Sequence, residues 1–477
     1  MAPVGSRESL AAAIQAGADS IYFGIERLNM RAASSSAFTI DDLQDIAQIC
    51  RKHNIKSYLT LNTIIYGEDL PYMREIIDAA RQAGISAIIA SDIAVMQYCR
   101  STPLPPPPSN LNSCIPAAFS PQSTSRTSHP SMVNGQCSMV TSPLEVHLST
   151  QLNISNIEAL RFYAQFADVV VLARELNIQQ VEDIHRQIVE QNICGPSGQL
   201  VRIEMFCHGA LCMAVSGKCY LSLHAANRSA NRGECIQLCR RSYTATDNET
   251  GYQLEIDNKY IMSPKDLKTI RFLDRLVKAG VTVFKIEGRA RGPEYVYTVV
   301  SCYREALQAV LHDAQGTSPV PAQEASPRGG LEGALPPTSH PSPLFTTERK
   351  DEWDRRLATV FNRGFWDGYY QGQLMGEWNK EYGSCATERK VYIGRGVKYF
   401  SKIRVAEFTV EANTFSIGDK LLITGPTTGA VYLTATEIHD NDGNPVQTAP
   451  QGQRVAIPVS EKIRPSDKLF RIDQSTP

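Results

Sequence analysis

Short apolar runs alternate with amphipathic stretches through residues 1–313. Between the runs lie helical patterns such as Ile40–His53, which Thr39 would cap. The runs predict strands at Ser20–Phe23, Lys56–Leu61, Ala87–Ala90, Val146–Ser149, Asp168–Leu172, Ile203–Phe206 and Thr282–Ile286. Strands that alternate with helices predict an α/β domain with a parallel sheet. Because there are at least six such units, the pattern favours a TIM-barrel-like (β/α) domain over an open doubly wound sheet.

Two segments interrupt this pattern and a third region replaces it. Residues 101–142, which include PLPPPPS, and residues 314–345, which include PPTSHPSP, lack apolar periodicity, so they are predicted to be disordered insertions. Residues 346–388 are polar and aromatic and are predicted to be a linker segment. From 389 to 477, runs such as VAEFTVEA alternate with period two between turn signals such as SIGD and GPTTG. This texture predicts a small C-terminal all-β barrel domain.

Composition places the chain among ordinary globular proteins. It has 477 residues, of which 42% are hydrophobic and 20% charged, and its formal net charge is −1, so no global charge marks it as a nucleic-acid binder. No run reaches the length of a membrane span, and MAPVGSRESLAAAIQAG lacks the pattern of a signal peptide. We expect a cytoplasmic protein without membrane contact, or an organellar one if the N-terminus is incomplete.

Four of the twelve cysteines form a module within residues 204–241. Cys212, Cys219, Cys235 and Cys239 follow the spacing C-x6-C-x15-C-x3-C, with Gly217 near the second of them. Converging thiolates suit an iron–sulfur cluster or a structural zinc ion. The C-x6-C half is wider than the short pairs of most zinc sites, so the spacing favours a cluster. Buried core thiols are the remaining interpretation.

Further candidate residues lie next to the module or at the ends of predicted strands. His208 and Glu204 are candidate proton-transfer groups, and His147 lies where barrel enzymes place polar site residues. Arg174, Lys285, Glu287 and Arg289 lie at or just beyond strand ends, and their cations are candidates for binding the carboxylates of a small acid. Structural hydrogen bonds and salt bridges are the alternative role for each residue.

A local basic segment is the candidate RNA contact. Residues 389–404 read RKVYIGRGVKYFSKIR, with six cations and no acidic residue. Cations suit phosphates, and aromatic rings suit unpaired bases. The candidate RNA-binding residues are Arg389, Lys390, Arg395, Lys398 and Tyr399. The solvated face of a strand is the other interpretation.

Three phrases around the cysteines resemble the signature of peptidase family U32. They are EMFCHGALC at Glu204–Cys212, SGKCYLS at Ser216–Ser222 and NRGEC at Asn231–Cys235. The family was named for peptidase and collagenase activity. Branches that hydroxylate RNA bases or ubiquinone precursors carry a [4Fe–4S] cluster on four cysteines, and the C-terminal residues resemble the β domain of the branch that hydroxylates tRNA.

This resemblance implies a cluster on the four cysteines and a tRNA substrate. The implied reaction forms 5-hydroxyuridine at the wobble position with prephenate as co-substrate, with an electron donor or a partner subunit as a possible further partner. Two alternatives stay open. A U32-type peptidase would need a nucleophile and a base, and without H-E-x-x-H or G-x-S-x-G the candidate pair is Cys212 with His208. A non-catalytic accessory protein would use the cluster only for stability.

Overall fold

The computed structural model describes residues 1–33, 38–100, 144–241, 243–255, 262–316, 343–379 and 383–475. The predicted insertion 101–142 and most of the predicted insertion 314–345 lie outside these residues. The helices are α1 (Arg7–Gln15), α2 (Asp42–Lys52), α3 (Leu70–Ala83), α4 (Ile93–Arg100), α5 (Ile157–Ala164), α6 (Ile178–Glu190), α7 (Leu221–Ala226), α8 (Leu273–Lys278), α9 (Pro293–Gly316) and α10 (Thr347–Thr359).

The strands fall into a mainly parallel group and an antiparallel group. The first group contains β1 (Ala2–Pro3), β2 (Ser20–Phe23), β3 (Lys56–Leu61), β4 (Ala87–Ala90), β5 (Glu145–Leu148), β6 (Val169–Val171), β7 (Arg202–Gly209), β10 (Asp266–Lys268), β11 (Val281–Ile286) and β12 (Phe365–Trp366), and the chain also forms a small hairpin of β8 (Thr244–Thr246) and β9 (Gln253–Glu255). The C-terminal strands are β13 (Glu388–Phe400), β14 (Val405–Val410), β15 (Phe415–Ser416), β16 (Lys420–Gly425), β17 (Gly429–Thr434), β18 (Thr448–Ala449), β19 (Arg454–Pro458) and β20 (Lys468–Gln474).

Strands β1 to β7 lie side by side in chain order, each parallel to the next, and β11 pairs in parallel with β7. Strand β11 also contacts β1. The backbone nitrogen of Ile286 donates to the oxygen of Met1 at 3.2 Å, and the terminal ammonium of Met1 donates to the oxygen of Phe284 at 2.7 Å. The predicted parallel α/β domain is confirmed. Because these strands are parallel, the loops that follow them lie at the same edge of the sheet.

Alternate residues of the parallel strands pack on opposite faces. Ile21 and Phe23 of β2 belong to the large cluster that the helices cover, whereas Tyr22 packs with Tyr58 and Ile89 on the inner face. This alternation follows from the two-residue period of a strand. The inner face, which lies opposite the helices, therefore carries every second side chain of a strand, and several of these side chains are ionisable.

The predicted cap of α2 is wrong in detail. Asp41, not Thr39, occupies the N-cap position, and its side chain makes no capping bond. Instead the backbone nitrogen and the hydroxyl of Thr39 donate to the carboxylate of Asp42, at 2.9 and 3.1 Å. A carboxylate in the first turn replaces the hydroxyl cap because it also interacts favourably with the helix dipole.

Residues 346–388 are not a free linker, because α10, β12 and Tyr370 pack on the α/β domain. Strand β12 pairs with β10, which itself lies antiparallel to the end of β7. Trp353 of α10 and Tyr370 are both 1% exposed, and the hydroxyl of Tyr370 donates to the oxygen of Phe206 at 2.9 Å. These buried aromatic residues attach the segment to the domain core.

The C-terminal residues form an all-β domain, as predicted. Its main sheet is antiparallel in the order β17-β16-β20-β13-β14-β19, around a separate apolar core that includes Phe408 and Phe415. The side chain of Gln15 in α1 donates to the oxygen of Thr428 at 2.6 Å and accepts from the nitrogen of Ala430 at 2.9 Å. One side chain thus satisfies two backbone groups of the C-terminal domain.

Candidate functional site

The cysteine module begins where β7 leaves the sheet. Gly209 ends this strand with φ +102°, and a Cβ atom there would lie 2.3 Å from the backbone oxygen of Glu287, so the turn requires glycine. Beyond it, a cavity of about 160 Å³ opens against the loops that follow the parallel strands. We call it the cysteine cavity because its lining includes Cys212, Cys219, Cys235 and Cys239. All four are free thiols.

Close backbone contacts hold the module against the strand-end loops. Gly233 has φ +88°, and its Cβ would lie 2.3 Å from the backbone oxygen of Asn29. The oxygen of Gly233 accepts a hydrogen bond from the nitrogen of Ala33 at 3.2 Å. Arg232 pairs with Asp69 at 2.6 Å. The module is therefore fixed on the loops after β2 and β3.

Arginines surround the first cysteine. Desolvation of Cys212 by the surrounding protein would by itself raise the pKa of this thiol. The nearby positive charges of Arg174 and Arg31 outweigh that effect and lower the pKa. Arg174 also donates to the hydroxyl of Ser216 at 2.9 Å. The thiolate, the form that binds metals, therefore forms more readily at Cys212 than at an ordinary thiol.

All four predicted substrate-binding residues line the cysteine cavity: Arg174, Lys285, Glu287 and Arg289. Glu287 pairs with Arg31 at 2.6 Å. Arg289 is 4% exposed and donates to the hydroxyl of Thr60 at 2.8 Å and to the side-chain oxygen of Asn29 at 3.1 Å. Its Nε atom has no hydrogen-bond partner, and burial lowers its pKa to about 10. Arg289 thus presents a charge that neutral groups hold in place.

The predicted catalytic residues Glu204 and His147 are absent from this lining and lie on the inner face of the sheet. Glu204 is fully buried; it contacts Nζ of Lys285 at 2.8 Å and Nδ1 of His147 at 3.2 Å. The other ring nitrogen of His147 lies 3.3 Å from Glu145, which pairs with Arg202 at 2.9 Å. These five residues form a continuous charged chain from the start of β7 to the cavity, and we call it the buried chain.

His208 also lies outside the lining, among aromatic side chains. It is 1% exposed, and its ring centroid lies 5.5 Å from those of Tyr303 and Phe365. Burial, reinforced by the charge of Lys268, lowers its pKa to about 3, and its Nδ1 has no hydrogen-bond partner. Strand β10 covers His208 by pairing with the end of β7. Adjacency in sequence to the module therefore does not bring this ring into the cavity.

Several lining residues were missed in the sequence. Arg31, Thr60 and Asn62 all line the cysteine cavity. Thr60 and Asn62 lie at the end of β3, so the strand-end rule that identified Lys285 would also have found them. Arg31 follows β2 in a longer loop, where the sequence gives no comparable signal.

The basic segment forms β13, and several of its side chains already have partners. Arg389 pairs with Asp473 at 3.8 Å, Lys390 with Glu294 at 2.8 Å and Arg395 with Glu411 at 3.3 Å. Lys398 lies 4.8 Å from the ring of Phe400, and Tyr399 donates its hydroxyl to the oxygen of Val459 at 3.1 Å. The segment is exposed but partly neutralised, and its RNA-binding role stays a prediction.

No three His, Cys, Asp or Glu side chains of the described residues, the four cysteines of the cavity included, are grouped closely enough to hold a metal ion. Among the helices that the structure describes, none is long and apolar enough to cross a membrane.

Comparison with known proteins connects this site to named relatives. A protein from Porphyromonas gingivalis named Collagenase is 54% identical over 99% of this chain and 97% of its own length. The tRNA hydroxylation protein P1 of Bacillus subtilis is 27% identical over 98% of this chain and 93% of its own. An Escherichia coli protein named as a 23S rRNA 5-hydroxycytidine synthase is 31% identical over 63% of this chain and 38% of its own.

Family models match both parts of the chain. The model described as the peptidase family U32 C-terminal domain matches residues 393–469, within the all-β domain. The model described as peptidase family U32 matches residues 5–107 and 135–332, which include strands β2 to β7, strand β11 and all four cysteines of the cavity. The chain therefore belongs to peptidase family U32.

Proposed function

We propose that this chain is an RNA-hydroxylating enzyme that converts the wobble uridine of tRNA to 5-hydroxyuridine with a prephenate-type co-substrate. In this proposal a [4Fe–4S] cluster is bound by Cys212, Cys219, Cys235 and Cys239. The observation that carries the proposal is that these cysteines line the same cavity as four strand-end residues, three of which are cations suited to the carboxylates of a small acid. The names of the Bacillus and Escherichia relatives support the choice of reaction.

The residues present fit a cluster in their chemistry, and the four thiols would have to approach one another to bind it. Four thiols face one cavity, and arginine charges favour the thiolate form of Cys212. Cations near the cysteines also offset the negative charge of a thiolate-ligated centre. When bound, the cluster would supply redox chemistry to the cavity. We further propose that the eight parallel strands close into a (β/α) barrel with this cavity at its C-terminal end, where barrel enzymes place their sites.

The other lining residues would bind and orient the substrate acid. Arg289 forms no ion pair among the described residues, so its guanidinium can bind a carboxylate of the acid. Glu287 pairs with Arg31 and keeps it in place. Lys285 is held by Glu204 at 2.8 Å, so its ammonium has a fixed position at the cavity wall. Burial of these charges strengthens their attraction for an anion.

The test is anaerobic purification followed by quantification of iron, acid-labile sulfide and zinc. We expect iron and sulfide in the wild type and their loss when any of the four cysteines is replaced by alanine. The matched control is Cys194→Ala, because Cys194 is a free thiol outside the cavity lining. Zinc without sulfide, or cysteine variants that keep their iron, would reject the cluster. Loss of 5-hydroxyuridine from tRNA in a deletion strain, restored by the wild-type gene only, tests the reaction.

Peptidase activity is the second candidate, favoured by the 54% identical relative named Collagenase. The required nucleophile and base are not paired in the described residues: Cys212 interacts with Arg174, whereas His208 is enclosed by aromatic rings. The test is cleavage of denatured collagen by purified protein. Cleavage that disappears in Cys212→Ser would favour a thiol peptidase, and absence of cleavage by iron-loaded and iron-free protein would reject it.

A further inference from the structure

A second cavity lies next to the cysteine cavity, and the proposed reaction assigns it no role. It has a volume of about 390 Å³, and Cys235 lines both cavities. Its lining includes Arg240, Arg241, Arg363 and the ring of Phe361. We call it the arginine cavity.

Neutral acceptors hold Arg240 in place. Its guanidinium donates to the oxygen of Leu211 at 2.7 Å, to the oxygen of Pro264 at 2.9 Å and to the hydroxyl of Ser263 at 3.0 Å. Within the described residues, neither Arg240 nor Arg241 forms an ion pair. The geometry of Arg240 is therefore fixed, and no carboxylate of the described residues contacts its guanidinium directly.

Arg363 adds a second fixed charge. It lies 5.0 Å from the ring of Phe361, and Arg291 contacts the same ring at 3.4 Å. The carboxylate of Asp266 is 3.4 Å from Arg363. Guanidinium groups that repel one another around one carboxylate leave a positive potential for an anion to neutralise.

The ligand that suits this cavity is a phosphodiester. Arginine is the preferred side chain for phosphate recognition because its planar donors match two phosphate oxygens. Of the five candidate RNA-binding residues on β13, three are already paired with carboxylates. Arg241, in contrast, is exposed and forms no ion pair among the described residues. The arginine cavity is thus the better-placed anion site, and its shared wall with the cysteine cavity would hold a backbone phosphate near the redox centre.

We infer that the arginine cavity binds a backbone phosphate of the RNA substrate and so directs a nucleotide toward the cysteine cavity. This inference rests on the proposed function and deepens it. The predicted contacts on β13 then add non-specific attraction at most.

The test measures binding of a fluorescein-labelled anticodon stem-loop RNA to the anaerobically purified full chain. For Arg241→Glu we expect roughly tenfold weaker binding and a salt dependence reduced by about one phosphate contact, with iron content unchanged. The matched control is Arg228→Glu, since Arg228 is exposed in the same module but absent from the cavity lining. Arg363→Gln, which is shorter and neutral, should weaken binding by removing a charge without reversing it.

Each other outcome rejects a defined statement. Equal losses from Arg228→Glu and Arg241→Glu would overturn the site in favour of diffuse attraction. Unchanged RNA affinity in Arg241→Glu, with loss of inorganic phosphate binding alone, would overturn RNA as the ligand. A larger loss from Arg395→Glu on β13 than from Arg241→Glu would place the main contact on the C-terminal domain. Failure of the wild type to bind RNA would overturn the proposed function itself.

Discussion

Replacement of Glu204 by glutamine should remove the central charge of the buried chain without changing the shape of the side chain. Glu204 is fully buried and is shared by Lys285 at 2.8 Å and His147 at 3.2 Å. Glutamine keeps the volume but loses the negative charge, so two cationic groups lose their common partner inside the domain. Breaking a buried ion pair in this way usually costs about 3–5 kcal/mol because the remaining charge is uncompensated.

The structure gives an independent magnitude. Burial alone would raise the pKa of Glu204, but Lys285 and His147 outweigh it and lower the pKa from 4.5 to about 2. Such a difference corresponds to roughly 3 kcal/mol of stabilisation of the carboxylate in the folded state. Because the folded pKa is lowered, this stability is present above about pH 4.5 and is lost as the pH falls toward about 2. The two magnitudes agree on a loss of about 3 kcal/mol near neutral pH.

Tryptophan fluorescence during urea unfolding can measure this loss selectively. The three tryptophans, Trp353, Trp366 and Trp378, all precede the C-terminal domain, so their signal reports on the α/β domain. A cycle of Glu204→Gln, Lys285→Met and the double variant separates the pair energy from the cost of each change. We expect the double variant to be clearly more stable than the sum of the two single losses predicts. Additive losses, or a single loss below about 1 kcal/mol, would refute the buried chain.

Three further predictions concern neighbouring groups. Burial alone would lower the pKa of His147, but Glu145 and Glu204 raise it, so its stabilisation is complete below about pH 6.5 and is lost as the pH rises through the raised value. His147→Gln should therefore lose the most stability in urea below that pH, and a pH-independent loss would contradict this. Gly233→Ala should lower the melting temperature and the iron content because the new Cβ would lie 2.3 Å from a backbone oxygen. The control is Gly198→Ala, which has φ +77° but open space around its Cβ, so it should lower the melting temperature only through backbone strain. Arg174→Met should slow alkylation of Cys212 in iron-free protein at neutral pH, since the thiol pKa rises; an unchanged rate would exclude this role.

The sequence predicted the parallel strands well because each is buried on both sides and therefore reads as a short apolar run. Predicted and observed strands such as Lys56–Leu61 and Ala87–Ala90 coincide. The cysteine spacing and the strand-end rule also identified residues that share one cavity. These signals are local in the chain, so they survive without knowledge of the tertiary structure.

The roles of His147, Glu204 and His208 depend on information that is not local. Whether a strand residue faces the cavity or lies beneath it depends on strand register, and His208 is covered by β10, which lies about 60 residues further on. The segment after the second insertion was misjudged for another reason. Trp353 and Leu357 lie four residues apart and are both buried, so the helical signal of α10 was present but hidden among charged residues.

The charges of the cysteine cavity separate into those that serve the protein and one that is left for a ligand. Glu287 neutralises Arg31, Glu204 neutralises Lys285, and the thiol of Cys212 faces Arg174. Among the described residues Arg289 donates hydrogen bonds only to neutral groups, its Nε is unpartnered, and Glu287 interacts with its charge without a direct contact. A carboxylate that binds Arg289 would gain a charge-assisted hydrogen bond worth roughly 1.5–3 kcal/mol. Under the proposed function, Arg289→Met should therefore raise KM for the proposed acid co-substrate about ten- to a hundredfold while iron content stays unchanged. If Arg289→Met instead loses iron or unfolds, this guanidinium is part of the scaffold, and the anion must bind elsewhere in the cavity.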